Sequence, residues 1–314
     1  MRVGQNPAKS IQTVHQPERI TVSVVTYVPF LSGYYAQGLE VLKVCVNSIL
    51  ENTDLRYDLL IFDNASCAEV RDYLLEEHRR EKIQYLVLSE KNIGKGGAWN
   101  FIFNAAPGEI ISYADGDILF DRGWLSRSLE ILDCYPKVGM VTARPLRTPK
   151  AHWTSTLEWA QATPEVKIEQ GRFIPWSVYA DHHRSLGTSE QQAREWYGKG
   201  EDYRLSYEGI TVQIGAAHFQ FTAKKAILQQ FLPFSMNRPM GQVRSLDEAL
   251  NQKGYLRLST SQPLVKHLGN RLEIENTFHQ TLDSPSVKRR IRDFPVFRRL
   301  LLNIYHSIFE LYYR

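Results

Sequence analysis

Cysteine is scarce in this 314-residue sequence, which contains only Cys45, Cys67 and Cys134. Because the three residues are far apart, odd in number and in no metal-ligand spacing, we expect neither a disulfide framework nor a zinc site. Excess charge is also small: the formal net charge of +4, spread over the whole chain, does not indicate a nucleic-acid partner. This composition is typical of a globular protein of a reducing cytoplasm.

Long apolar runs are missing as well. No stretch approaches the roughly 20 apolar residues of a membrane-spanning helix, and residues 1–19 lack the apolar segment of a secretory signal. We therefore expect a cytoplasmic protein that, at most, rests on the inner face of a membrane. The motifs G-x-G-x-x-G and G-x-x-x-x-G-K-[ST] do not occur, so a nicotinamide cofactor and P-loop chemistry lose their main support.

What the sequence does have is a regular alternation of strands and helices. Runs rich in β-branched residues predict strands, and apolar residues at helical spacing predict helices. The predicted strands are 20–28, 57–66, 83–89 and 109–117; the predicted helices are 38–53, 68–80 and one entered from a glycine-rich turn at 90–100. This order indicates a doubly wound, mostly parallel α/β sheet with helices on both faces.

Polar clusters follow three of these strands: Thr26-Tyr27, Asp63-Asn64 and Asp115-Gly116-Asp117. Ligands of a doubly wound sheet bind at the carboxyl ends of the strands, so the clusters should meet at one edge. Two carboxylates about 4 Å apart repel by roughly 4 kcal/mol at an effective dielectric of 20, whereas a divalent cation attracts both. Mg²⁺ is typically held by one or two carboxylates plus substrate phosphates, so Asp115 and Asp117 predict a metal–diphosphate site. A strand-end aspartate such as Asp63 has an alternative role as a cap or turn former.

Further segments accompany this carboxylate pair in a fixed order: VVTY on the first strand, DNAS on the second, NIGKGGAWN before a helix, DILFDRGWLSRSL after the carboxylates, and HLGN late in the chain. Over most of residues 20–270 the set resembles the family-2 glycosyltransferases of the GT-A fold, whose signature is an Asp-x-Asp at a strand end. The resemblance implies an inverting, metal-dependent transfer of a sugar from a nucleoside diphosphate donor. It implies Mn²⁺ or Mg²⁺ as cofactor, favours a UDP-sugar, and points to a hydroxyl of a glycan or lipid-linked acceptor.

The resemblance also assigns roles by position. The implied donor-binding residues are Thr26, Tyr27, Asp63, Asn64, Asn92, Gly94, Lys95, Gly96, Gly97 and Asp115. The implied metal ligands are Asp115, Asp117 and His267. The implied general base is Asp247 or Glu248, with Asp247 favoured, although the pair departs from the family's commoner Glu-Asp order.

Each assignment has a structural alternative. The glycines also suit a tight strand–helix turn, Asp247 and Glu248 are also favoured by the helix dipole, and His267 is also compatible with a structural role. Two other functions remain open. A sugar-phosphate nucleotidyltransferase should carry a G-x-G-T-R-type turn after the first strand, which VVTYVPFLSGYY lacks. A non-catalytic sugar-binding protein of the same fold would not need both aspartates and the acidic pair.

The sequence divides into three parts. Residues 1–19 are predicted to be a polar tail, residues 20–285 a GT-A domain, and residues 286–314 a basic amphipathic helix. That helix suits either a membrane interface or packing on its own domain or a second subunit. A processive synthase is disfavoured, because its membrane helices and Q-x-x-R-W motif are missing.

Within the domain, the resemblance implies a nucleotide-sugar half at residues 20–147 and an acceptor half at residues 209–285, with a predicted helical and loop insert at 148–208 between them. The insert offers aromatic residues for packing or for an acceptor wall, namely Trp153, Trp159, Trp176 and Tyr179, and a His182-His183 pair that is a poor candidate for metal binding. Residues 210–227 predict a strand pair or hairpin in which His218 is packed. A helix followed by a strand is predicted at 245–259.

Overall fold

The computed structural model describes residues 3–237 and 241–272. These residues form twelve strands and nine α-helices. The strands are β1 (Ile20–Thr26), β2 (Asp58–Asn64), β3 (Tyr85–Ser89), β4 (Ile110–Asp115), β5 (Ile118–Phe120), β6 (Val138–Thr142), β7 (Lys167–Gly171), β8 (Asp202–Tyr207), β9 (Ile210–Ile214), β10 (Gln220–Lys224), β11 (Leu256–Thr260) and β12 (Val265–His267). The helices are α1 (Gly38–Asn52), α2 (Ala68–Arg79), α3 (Gly94–Ala105), α4 (Trp124–Cys134), α5 (Thr154–Ala162), α6 (Trp176–Ser185), α7 (Glu190–Lys199), α8 (Lys225–Leu228) and α9 (Gln242–Gln252).

Ten strands form one mixed sheet in the order β3-β2-β1-β4-β10-β6-β11-β9-β8-β7. The first four are parallel to one another, β10 is antiparallel to β4 and β6, and β6 is parallel to β11. The predicted doubly wound α/β sheet is confirmed. Its antiparallel strands β9, β8 and β7 make it more mixed than the sequence pattern indicated.

The sheet is covered on both faces, as alternating side chains of β2 demonstrate. Leu59 and Ile61 belong to one apolar cluster, which also contains residues of α1, α2 and α4. Leu60 and Phe62 belong to a second cluster, which contains residues of α3 and α9. Because successive side chains of a strand point to opposite faces, a continuous apolar run such as β2 is buried on both sides.

The glycine-rich segment differs from its prediction, because it begins a helix and is not a turn before one. Helix α3 begins at Gly94, where φ is +71°. The Asn92 side chain accepts a hydrogen bond from the Gly94 amide at 2.8 Å, and a Cβ on Gly97 would lie 2.9 Å from the side chain of Ile93. The glycines therefore let the entering loop pack closely against the first turn of α3.

Residues 148–208 differ from the predicted helical and loop insert, because they contain β7 and β8, which extend the main sheet. Strand β7 is a polar edge strand whose side chains are half-buried or exposed, so its sequence carries a weak apolar signal. Residues 210–227 do not form a hairpin either. Strand β9 pairs with β8 and β11, whereas β10 pairs with β4 and β6, so the link between them crosses the sheet.

The aromatic residues of this region pack on one another. Trp153 is 7% exposed and its ring lies 5.3 Å from that of Tyr203. Trp159 contacts Tyr135 and Tyr207. Packing, one of the two predicted roles, therefore describes both residues: Trp153 belongs to the main apolar cluster, and Trp159 packs against it.

The ends of the chain add two observations. Residues 3–17 are exposed. The predicted helix at 286–314 lies outside the described residues. No helix within 3–237 or 241–272 is long and apolar enough to span a bilayer.

Candidate functional site

The three polar clusters meet at one edge of the sheet, as the sequence predicted. In the parallel register Thr26 of β1 lies beside Asp63 of β2, and Val25 lies beside Asp115 of β4. The carboxyl ends of three strands therefore bring the polar residues together. A Cβ added to Gly116 would lie 3.3 Å from the Thr26 side chain, so the Asp-Gly-Asp turn runs directly past the end of β1.

Asp115 is held by several groups of the protein. Its carboxylate accepts from Lys95 Nζ at 2.8 Å and from the Tyr113 hydroxyl at 2.5 Å. Its backbone amide donates to the Phe219 carbonyl at 2.8 Å. Burial, and then the charge of Asp115, raise the pKa of Tyr113, so this hydroxyl stays protonated and donates. Lys95 is thus positioned at Asp115 and carries a positive charge at the edge where the resemblance places the diphosphate.

Asp117 is less completely satisfied than Asp115. Its Oδ1 atom is buried without a hydrogen-bond partner, while its Oδ2 atom lies 3.5 Å from His267 Nε2. Burial raises the pKa of Asp117 to about 6, against the lowering effect of a charged His267. A buried polar atom without a partner is uncommon and costs free energy, so this carboxylate is poised to bind a further group.

A second, two-stranded sheet places His267 beside Asp117. Strand β12 pairs with β5 so that His267 lies opposite Ile118, and the Leu268 amide donates to the Asp117 carbonyl at 2.8 Å. These bonds join the HLGN segment directly to the turn that carries the carboxylates. The predicted third ligand and the predicted carboxylate are therefore neighbours, although 150 residues separate them in the sequence.

The hydrogen bonds of His267 define which ring nitrogen faces Asp117. Ser185 Oγ donates to the His182 carbonyl at 2.7 Å, a usual length for an O–H···O hydrogen bond, and it lies 2.9 Å from His267 Nδ1. Since the hydroxyl has one proton, it accepts from Nδ1–H, and a neutral His267 then turns the Nε2 lone pair to the Asp117 carboxylate. The Nε2 lone pair of His267 and the carboxylate oxygen of Asp117 are both electron-pair donors, and they then face each other with no proton between them.

These residues fit a divalent cation. Imidazole and carboxylate are acceptable ligands for Mn²⁺, and the serine behind His267 is the kind of partner that orients a metal-binding histidine. Asp117 and His267 would hold the ion, with Asp115 nearby. Within 3–237 and 241–272 no group of three or more His, Cys, Asp or Glu side chains is arranged as a complete metal site.

Gly269 offers a test of this arrangement, because it forms the turn directly after His267 and Leu268. Its φ is +70°, and a Cβ would lie 2.9 Å from the Ser185 carbonyl. We expect Gly269→Ala to lower the free energy of unfolding, measured by urea titration, by about 1–3 kcal/mol more than the same substitution at a glycine without such a contact. Gly187→Ala is the matched control, since φ is +75° and no atom lies within 4 Å. Equal losses in the two variants would contradict a role of this contact in fixing the turn.

The predicted nucleoside-binding residues are more internal than the carboxylate pair. Asp63 is fully buried, and its carboxylate accepts from the Ser66 amide at 3.1 Å and from Arg71 Nε at 3.2 Å. Burial is the largest influence on its pKa, which is raised. Asn64 accepts from the Ile93 amide at 2.9 Å. These contacts of Asp63 are those of a cap or turn former, the alternative role predicted for it. Asn64 links the end of β2 to the residue before α3 through its bond with the Ile93 amide.

A second polar cluster surrounds Asp247 on α9. Asp247 is 4% exposed; its Oδ1 accepts from Arg257 Nη2 at 2.5 Å, and its Oδ2 lies 3.3 Å from His218 Nδ1. Arg257, on β11, is fully buried. Burial lowers the pKa of Arg257, while the charge of Asp247 raises it. The predicted base candidate is therefore the buried centre of an ion pair.

Glu248 lies in a different environment. Its carboxylate accepts from Arg244 Nε at 2.8 Å, and the side chains of both residues are substantially exposed, at 44% and 77%. The two members of the predicted acidic pair thus have separate partners. Only Asp247 joins the cluster that reaches His218.

His218 is the functional candidate that the sequence interpretation missed. It was predicted to be packed, yet its side chain is 39% exposed. It precedes Phe219, whose carbonyl binds the Asp115 amide and whose ring lies 5.5 Å from that of His267. Its bond to Asp247 spans 29 residues, and no local motif announces such a contact.

Comparisons with known proteins agree with the resemblance seen in the sequence. Residues 34–214 match the family model described as Glycosyl transferase family 2. An uncharacterized glycosyltransferase from Nostoc sp. (strain PCC 7120) is 31% identical over 102 residues, which are 32% of this chain and 31% of that protein. The chain thus matches about a third of the length of this relative.

Two solved structures are similar at low sequence identity. TarS residues 1–349 from S. aureus have 13% identity and a TM-score of 0.47, with 80% of this chain and 60% of that chain covered. The mannosyltransferase PcManGT from Pyrobaculum calidifontis, in complex with GDP-Man and Mn²⁺, has 17% identity and a TM-score of 0.46, with 80% and 56% covered.

Proposed function

The chain belongs to glycosyl transferase family 2, whose model matches more than half of it, and from this premise we propose that it transfers a sugar from a nucleoside diphosphate donor to an acceptor hydroxyl. The proposed reaction depends on a divalent cation and inverts the anomeric centre. Inversion follows from the family resemblance. A UDP-sugar is the favoured donor, and a glycan or a lipid-linked saccharide the proposed acceptor.

The pairing of Asp117 with His267 carries the proposal. A carboxylate with one buried oxygen free of hydrogen bonds lies 3.5 Å from the imidazole Nε2, at the strand edge where ligands of such sheets bind. When bound, Mn²⁺ or Mg²⁺ supplies Lewis-acid neutralisation of the leaving diphosphate. Two protein ligands suit an ion that takes its remaining ligands from phosphates and water.

Donor binding is proposed at the ends of β1 and β2 and at the start of α3. Thr26, Tyr27, Asp63 and Asn64 would face the nucleoside, and the first turn of α3 would face the diphosphate. The Asn92–Gly94 bond orders this turn, and Lys95 adds a positive charge at Asp115. For Asp63 to bind a ribose or base, its carboxylate would share or exchange its contacts with Ser66 and Arg71.

Proton removal from the acceptor is proposed at the Asp247 cluster. The contacts favour Asp247 over Glu248, because Asp247 connects through His218 and Phe219 to the backbone of Asp115. Glu248 instead pairs with Arg244 on the exposed side of α9. A base in this cluster would act on the acceptor, so loss of the cluster should reduce transfer more than donor affinity.

Thermal unfolding in the presence of nucleotide sugars tests the proposal. A ligand at 100 times its Kd stabilises the folded protein by about 2.7 kcal/mol, so a matching donor should raise Tm, and Mn²⁺ should enlarge the rise. Release of nucleoside diphosphate from the same donor separates a transferase from a sugar-binding protein. A panel of UDP- and GDP-sugars that leaves Tm unchanged, with and without Mn²⁺, would contradict the proposed function.

A further inference from the structure

His218 combines two properties that no other residue of the Asp247 cluster combines: an exposed ring and proximity to the carboxylate edge. Its side chain is 39% exposed, against 5% for Asp247. The next residue, Phe219, accepts from the Asp115 amide at 2.8 Å. An acceptor hydroxyl at this edge would therefore meet the imidazole of His218 and not the buried carboxylate.

The contact with Asp247 selects the ring nitrogen that is free to act as a base. His218 Nδ1 lies 3.3 Å from Asp247 Oδ2. A carboxylate only accepts, so Nδ1 carries the proton, and Nε2 of the neutral ring then carries a lone pair. This is the arrangement in which a buried carboxylate fixes the tautomer of a histidine that removes a proton.

Arg257 fixes both partners of this contact. Its Nη2 donates to Asp247 Oδ1 at 2.5 Å and to the Ala216 carbonyl at 2.6 Å. Ala216 lies two residues before His218, so one guanidinium holds the carboxylate and the chain that carries the histidine. Arg257 Nη1 also donates to the His152 carbonyl at 3.0 Å, so the guanidinium is held by two carbonyls. Because Asp247 is bonded to this fixed guanidinium, its carboxylate has little freedom to turn toward a substrate.

We propose that His218 is the general base of the transfer and that Asp247 is its positioning residue; this inference rests on the proposed function. His218 Nε2 removes the proton of the acceptor hydroxyl as the oxygen forms a bond to the anomeric carbon. The bond from that carbon to the diphosphate oxygen breaks, and its electron pair leaves with the nucleoside diphosphate. The imidazolium, stabilised by Asp247, then releases its proton to solvent.

Histidine ¹⁵N NMR of the full chain tests the tautomer without any substrate. The His218 resonances are assigned as those missing from the His218→Gln spectrum. We expect the neutral ring to carry its proton on Nδ1. A ring protonated on Nε2 would overturn the proposal, because the nitrogen away from Asp247 would then have no lone pair.

Kinetics of the full chain test the base directly, with nucleoside diphosphate release from UDP- and GDP-sugars in Mn²⁺ and water as acceptor. His218→Ala should lower kcat by about 100-fold or more while leaving donor affinity unchanged, and added imidazole should restore part of the loss. The matched control is His78→Ala, since His78 is an exposed histidine whose Nδ1 lies 2.7 Å from the Ile83 carbonyl. It should keep its kcat and show no response to imidazole.

The outcomes separate this proposal from the function on which it rests. A wild-type chain that binds and turns over a donor, with an unchanged kcat in His218→Ala, would overturn the role of His218 and leave the transferase standing. A wild-type chain that neither binds nor turns over any donor of the panel would overturn both. Asp247→Asn should lower kcat with little change in KM and shift the His218 tautomer; should it fail to fold, the His218→Ala kinetics and the wild-type tautomer still decide.

Discussion

Asp117→Asn is expected to weaken binding of a nucleotide sugar in Mn²⁺ by about 100-fold or more, since loss of even an outer-shell partner of a metal ligand costs 10–100-fold. The reason is the small number of protein ligands. Asp117 Oδ1 is the buried oxygen without a partner, and an amide in its place is a weaker, uncharged ligand. Isothermal titration of the donor in Mn²⁺ and in EDTA measures the effect. In EDTA the wild type and the variant should bind the donor alike.

The same substitution is not expected to destabilise the fold. Burial raises the pKa of Asp117 from 3.8 to about 6, so the ionised form is less favourable in the folded than in the unfolded chain. Asp117 is neutral at low pH in both states, and it lowers the stability of the fold as pH rises from its unfolded pKa through its folded pKa. At neutral pH, Asp117→Asn removes that cost, and the urea midpoint should hold or rise.

The control for this prediction is Asp133→Asn, which removes one negative charge from an exposed position on α4. It changes the net charge equally and should leave donor binding in Mn²⁺ unchanged. Undiminished metal-dependent binding by Asp117→Asn would contradict the assignment of Asp117 as a ligand. A large loss of stability would instead indicate that the carboxylate has a structural role.

The strand-end part of the site was predictable because it depends on local sequence and on one rule of sheet geometry. Apolar runs such as β2 are marked by composition, and parallel strands align their carboxyl ends, so Asp63 and Asp115 were expected at the same edge of the sheet. His267 was placed by resemblance to a family. The structure supplies the reason, since β12 pairs with β5 directly after Asp117.

The Asp247 cluster was not predictable, because it depends on crossings between distant segments. Residues 210–227 resemble a hairpin in sequence, yet β9 and β10 pair with other strands, and the link between them brings His218 to Asp247. Arg257 lies on a strand that reads as ordinary β sequence. An arginine there would be expected at the surface, whereas its partner on α9 allows complete burial.

Arg257→Met is expected to lower the free energy of unfolding by about 3–5 kcal/mol, the range observed when one partner of a buried ion pair is removed. Arg257 is fully buried and Asp247 is 4% exposed, so the variant leaves a carboxylate in the core without its guanidinium. The carbonyls of Ala216 and His152 lose their donor as well. Urea unfolding followed by far-UV circular dichroism measures the loss.

A double-mutant cycle shows how much of that loss comes from the unpaired charge. Adding Asp247→Asn to Arg257→Met removes the buried carboxylate, so the double variant should recover part of the loss, with a coupling free energy of about 1–3 kcal/mol. The matched control is the exposed pair on α9, with Arg244→Met and Glu248→Gln. Its ion-pair distance is 2.8 Å, but solvent screening should hold its coupling to about 0–1 kcal/mol. Equal coupling in the two cycles would contradict a special role for burial at Asp247, because the two pairs differ mainly in their exposure to water.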